Sequence, residues 1–440
     1  MKKNYDAEYF EHKHFKDTTK YDAEYFKYKH LKYKTKYLNL KKQHGGQNDT
    51  TSSNSLTDSD HSDHSDHSDH SNHSDKEDNK RIANTNNHFA IDLFENFDGA
   101  SNLFSPISIT YAISLVHLGA LGKTDDQLTE LFGHKFSTDD LQSIKTLFNN
   151  DIIKMISMIL INNNYKINNE YLEMIKPLAM VIYKDFTNAN MIAQKINKYI
   201  SQNTNNMIKN VISDGDISSN DIFVIVNTVY FKSNWLNKFD PKLTSKMKFH
   251  KTNSDVISMM HQKNSFNYYE NNSVQVMELP YASGGFAMGI VLPKQYLQEE
   301  NLAYSINNVP IISEPQLEEM INNLSYEDVD LYIPKFTQRK NLEIVPILRK
   351  MGVTYLFSKS DAELDIISDK AYVSRIIHEA VVIVDEEGTE ASAATIIISK
   401  ERSAPIRKSP KLFKADHAFI YYIRHVPSGI ILFYGDYQGN

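Results

Sequence analysis

Residues 376–410 read IIHEAVVIVDEEGTEASAATIIISKERSAPIRKSP. The segment AVVIV (380–384) is a short β-branched apolar run and reads as a strand. Three acids and Gly388 follow it, then a string of residues too small to build a core, then an Arg402–Ser403 pair in charged, Pro-containing sequence. A strand that enters an existing sheet must fit alternate side chains into a formed core. From Thr389 the alternate residues are Thr389, Ala391, Ala393, Thr395 and Ile397, all small or apolar and none charged. The other set begins Glu390, Ser392, Ala394, and its one charge is free to face solvent. Gly388 reaches backbone angles closed to other residues, which suits a hinge. The segment is therefore fit both to stay outside a sheet and to enter it.

Outward from this stretch, the chain divides into three parts. YDAEYF occurs at 5–10 and again at 21–26, with KH and TK repeating at the same offset, so the first 45 residues hold a 16-residue duplication. This arm, 1–45, is basic and aromatic, with a helix expected over 5–42. The tract 46–82 is rich in Ser, Asp and His, buries too little apolar surface to offset ordering entropy, and reads as a disordered linker. Residues 83–440 form the globular part. Arm and linker carry opposite charges that cancel, so the core holds the net −7 of the chain. That acidity argues against nucleic acid as the core's partner.

The core opens with helical patterns and continues with strand-like runs. SPISITYAISLVHLGALG (105–122) has a Ser-Pro start and a glycine stop. DIFVIVNTVYF, FAMGIVLP, VDLYIPKF and the pair FIYYIRH and IILFYG joined by VPSG read as strands. An α+β fold on large, mostly antiparallel sheets is expected. There is no cysteine, so disulfides and Cys-ligated metal sites are excluded. No signal-peptide run follows the MKK start and no segment is long and apolar enough to span a membrane, so a soluble, non-secreted protein is expected. The five histidines of the SDH tract (61, 64, 67, 70, 73) are read as solvated linker in preference to a weak Zn²⁺ or Ni²⁺ site. No hydrolase, zinc-protease or phosphate-loop motif is present; GALGKT (119–124) has His117 where such a loop needs its first glycine.

Eight segments of the core, in order, resemble the serpins. They are NLFSPISITYAISLVHLGALGKT (102–124), INKYISQNTNNMIKNVI (196–212), IVNTVYFKSNWLNKFDP (225–241), MELPYASGGFAMGIVLP (277–293), LYIPKF (331–336), LRKMGVTYLFS (348–358), IIHEAVVIVDEEGTEASAAT (376–395) and FKADHAFIYYIRHVPSGIILFYGDY (413–437). The resemblance implies three β-sheets, eight or nine helices and an exposed reactive-centre loop. It also implies a monomeric, non-enzymatic serine protease inhibitor without cofactor or metal, acting as a suicide substrate. In such a protein the hinge runs from Glu386 through Gly388, Thr389, Glu390, Ala391, Ser392, Ala393, Ala394 and Thr395. Counting seventeen residues with the hinge glutamate as the first gives Arg402 as the scissile position, with Ser403 on the leaving side; Lys400 is the second choice. An arginine there matches the carboxylate in a trypsin-like specificity pocket. Ser105, Ser108, Asn227 and His378 match the polar cluster beneath the opening sheet, and Trp235 the place where insertion begins. The alternative is a non-inhibitory serpin-fold binding or structural protein tethered by its arm. Abundant Asn, Lys and Ile, with the low-complexity arm, loosely resemble proteins of giant DNA viruses.

Overall fold

The computed structural model describes residues 69–99, 101–250, 255–294, 309–310, 312–389 and 409–439. Among them it has eight α-helices and three sheets, the α+β architecture expected. The first helix, α1 (Asp69–Glu95), begins inside the stretch assigned above to the linker and runs through its junction with the core. Ile82 is 1% exposed and Phe89, Ala90 and Leu93 are buried with it. Packing of that apolar face carries the helix back into polar sequence, as tertiary contact commonly does for a helix of weak propensity.

The helix α2 (Pro106–His117) is apolar on all sides and buried along its whole length. A helix hydrophobic all round belongs in the middle of a large core. It lies beneath a five-stranded sheet of order β11-β12-β4-β2-β3, made from β11 (Phe336–Glu343), β12 (Val373–Val384), β4 (Phe223–Phe231), β2 (Ile153–Asn162) and β3 (Met180–Lys184). Successive residues of its central strands enter two different cores. Ile225, Val229, Ile376, Ala380, Val382 and Val384 face the main one. Val224, Val226, Tyr230, Ile377 and Val381 face a second cluster under α6 (Ala189–Asn203) and the segment that follows it. Burial on both faces is why β4, FVIVNTVYF, is buried along its whole length and apolar but for Asn227 and Thr228.

Two pairings in this sheet are parallel, β2 with β3 at its edge and β12 with β4 at its centre. β12 and β4 are parallel neighbours, from Val373 opposite Phe223 to Val381 opposite Tyr230, although β11 pairs β12 and β2 pairs β4 in antiparallel fashion. A nine-stranded sheet includes β15 (Phe419–His425) and β16 (Ile431–Tyr437), the hairpin expected from the sequence. Its other margin holds β6 (Ser245–Phe249), β7 (Asp255–Glu270), β10 (Ser325–Pro334) and β14 (Lys411–Lys414). The third sheet is small: β13 (Gly388–Thr389) pairs antiparallel with β5 (Ser233–Asn234). No helix among the described residues is long and apolar enough to cross a membrane.

Candidate functional site at a sheet seam

Four of the residues picked out in the sequence meet at the β4–β12 seam. His378 lies directly opposite Asn227 in the parallel register. Its Nδ1 donates to Asn227 Oδ1 at 2.9 Å, while its Nε2 accepts from the Ser105 backbone N–H at 3.0 Å. The Ser108 hydroxyl also donates to Asn227 Oδ1. Asn227 Nδ2 donates to Ser157 Oγ on β2 at 2.9 Å, a member of the cluster that the sequence did not single out. The Ser105 hydroxyl has no partner among the described residues. Burial drives the His378 pKa down to about 3. The ring is thus a neutral imidazole with both nitrogens satisfied, joining β12 to β4 and to the start of α2. Of these bonds, the one between His378 and Asn227 crosses from β12 to β4, and parting of the two strands has to break it.

At the C-terminal end of β12 the chain turns back on itself. The Asp385 N–H donates to Gly388 O at 3.1 Å, and Asp385 Oδ1 accepts from the Glu387 and Gly388 amides. Gly388 has φ +149°, and a Cβ there would lie 2.3 Å from Ser233 O and 2.5 Å from Asn234 Cα. Conformation and close approach both demand glycine. Thr389 is 1% exposed, its hydroxyl 2.8 Å from that of Tyr281. Trp235 stacks on Tyr281 with ring centroids 4.6 Å apart and donates from Nε1 to Asp385 O at 2.8 Å. Its backbone N–H donates to Glu387 O, and that of Phe239 to Glu386 O.

The Glu386 carboxylate accepts from Lys335 Nζ at 2.6 Å and from Thr244 Oγ1 at 2.8 Å. Burial alone would raise its pKa, but the bonds from Lys335 and Thr244 outweigh that and leave it lowered. Glu387 pairs with Lys238. The hinge is therefore held at both acids, at the turn and at Thr389. Tyr281, Lys335, Thr244 and Lys238 were missed in the sequence, although LYIPKF and MELPYASGG contain two of them. Each acts through a contact far away in the chain, which no local pattern reports. The remaining hinge residues, Glu390, Ala391, Ser392, Ala393, Ala394 and Thr395, and the Arg402–Ser403 pair lie outside the described residues, as do the arm and most of the SDH tract.

The seam between parallel strands thus ends at a turn pinned through Glu386, Glu387, Gly388 and Thr389. The family model for serpins, described as serine protease inhibitors, matches residues 84–438. The chain belongs to the serpin family. A serpin-like protein of Acanthamoeba polyphaga mimivirus is 50% identical over 361 residues, which cover 82% of this chain and 90% of that one. Neuroserpin of Mus musculus is 32% identical over 356 residues, covering 76% of this chain and 84% of its own length. Among solved structures, a tumour suppressing serpin superposes with a TM-score of 0.72 at 23% identity, over 82% of this chain and all of that one. At that identity the likeness speaks for the serpin fold alone. The family model describes serpins as serine protease inhibitors, a class that is not catalytic.

Proposed function

We propose that this serpin traps a trypsin-like serine protease at Arg402–Ser403 by inserting its reactive loop between β4 and β12. The parallel pairing of those strands carries the reading. A segment that leaves the end of β12 and folds back runs antiparallel to β12, and therefore antiparallel to β4 as well. Insertion replaces one parallel ladder with two antiparallel ones, the slightly more stable kind. Each inserted residue adds on the order of one hydrogen bond, worth about 0.5–1.5 kcal/mol. Continuing the turn that Asp385 and Gly388 begin sets Thr389 opposite Val384, Ala391 opposite Val382, Ala393 opposite Ala380 and Thr395 opposite His378. All four partners are buried, and the first three lie in the main core. Small side chains fit there and charged ones do not.

In the chemical step the protease serine oxygen attacks the Arg402 carbonyl carbon. The Arg402–Ser403 bond breaks, the Ser403 nitrogen takes up a proton and leaves as a new amino terminus, and Arg402 remains esterified to the protease. Insertion then carries the tethered protease away before water completes hydrolysis. The closed five-stranded form is accordingly a kinetically held state. Residues 1–67, the arm and the first part of the linker, are a separate element in this reading, and removing them is expected to leave trapping intact. The likeness to the mimivirus protein supports a giant-virus source.

Mixing the protein with trypsin and running a denaturing gel tests the proposal. The expected result is a covalent adduct of the protease with the chain up to Arg402, the fragment 403–440 running separately, and loss of that adduct in Arg402→Ala. Cleavage without adduct would instead favour the non-inhibitory binding protein.

A further inference from the structure

Within an acidic core, residues 232–250 carry five lysines against the single acid Asp240. Two of these lysines, Lys246 and Lys248, alternate along β6, which among the described residues pairs as a strand with β7 alone. Residues two apart in a strand share a face, so they project together, about 6.6–7 Å apart. Their cross-strand partners on β7 are Ser258 and Val256. Met247 and Phe249 take the opposite face, Phe249 fully buried. Lys242, just before β6, is exposed too. None of Lys242, Lys246 and Lys248 meets a carboxylate among the described residues, whereas Lys238 and Lys335 nearby are both paired.

Lysines on an edge strand commonly serve to block pairing with another chain. That accounts for Lys246 and Lys248 but not for their apolar neighbours. Leu236 is 51% exposed, Leu243 49% and Val256 61%. Exposed apolar side chains interleaved with unpaired charge of one sign are the make-up of a recognition surface. The place of the strip indicates what it meets. Thr244, between Lys242 and Lys246, donates to Glu386, and Phe239 donates to the Glu386 carbonyl. The strip thus adjoins the root from which the reactive loop departs after Thr389. The body brought against it is whatever that loop engages.

We propose that Lys242, Lys246 and Lys248, with Leu236, Leu243 and Val256, form a secondary docking surface for an acidic patch on the target protease. It rests on the trapping reading above and adds a determinant of which trypsin-like enzyme is trapped. The surface acts before the chemical step, so it governs the rate of association and not the fraction of cleaved molecules that end as adduct. Complementary charge at such a rim raises association rates and makes them salt-dependent.

The experiment compares wild type with the Lys242→Gln/Lys246→Gln/Lys248→Gln variant. It measures the second-order rate of adduct formation with an anionic and with a cationic trypsin, at low and high salt. The variant is expected to react roughly tenfold more slowly with the anionic enzyme at low salt, with a flattened salt dependence. Its rate with the cationic enzyme, its adduct-to-cleaved ratio and its unfolding temperature should match wild type. A second variant, Lys246→Glu/Lys248→Glu, should reverse the preference between the two trypsins. Equal rates for wild type and both variants, with adducts still forming, would overturn the docking surface and leave trapping intact. Failure of wild type to form adduct with either trypsin would remove trapping and this surface with it.

Discussion

Thr389 already sits where an inserting strand has to begin. It is buried, with its hydroxyl against Tyr281, one residue beyond a glycine that no other residue replaces without collision. Thr389→Arg would place a charge in that enclosed position, at a cost of several kcal/mol unless the side chain escapes to water. Escape pulls the hinge off Trp235 and Tyr281 and delays insertion. The variant is expected to convert most of the trapped product on a denaturing gel into cleaved product, with little change in the rate at which trypsin attacks the loop. An unchanged ratio would mean that Thr389 does not lead the insertion. Much at this scale was legible in the sequence. The need for the glycine before Thr389 has a local cause, whereas the small residues beyond Thr389 lie outside the described residues. Tyr281 and Lys335 were not legible, because their importance comes from partners 108 and 51 residues away.

At the scale of elements, the seam is where stability and function oppose each other. His378 joins its two strands only as a neutral ring. Its pKa is near 3 in the folded chain, against about 6.5 when unfolded. Between those values the unfolded chain binds the extra proton, so stability rises with pH across the window and falls as pH drops from about 6.5 towards 3. His117, buried at the end of α2 with its pKa lowered to about 4, shifts stability in the same direction. The unfolding midpoint should therefore be lower at pH 5 than at pH 7.5, and the drop should be smaller in His378→Gln. An equal drop in both proteins would show that His378 does not couple the seam to pH. The strands themselves were readable as apolar runs. That β4 and β12 are parallel neighbours was not, since the pairing joins segments about 150 residues apart through two cores. The polar first turns of α1, inside the tract read as linker, were not readable for a related reason: the apolar residues Ile82 and Phe89 that anchor the helix are buried further along.

For the whole molecule, the account requires that the structure described here is not the most stable arrangement of its chain. The five-stranded sheet is closed, yet its central pairing is the one that a folded-back strand would improve. The turn that would begin this strand is held at Glu386, Gly388 and Thr389. Cutting the loop would free the strand from its far attachment at β14, and its entry then has to break only the parallel β4–β12 ladder and the His378–Asn227 bond across it. The most direct measurement is the structure of the chain after cleavage at Arg402. If the account is right, residues 389–397 lie between β4 and β12, and the spacing of those two strands grows from about 4.8 Å to about 9.6 Å. If His378 still faces Asn227 across an unexpanded pair, with the cut peptide outside the sheet, the account is contradicted.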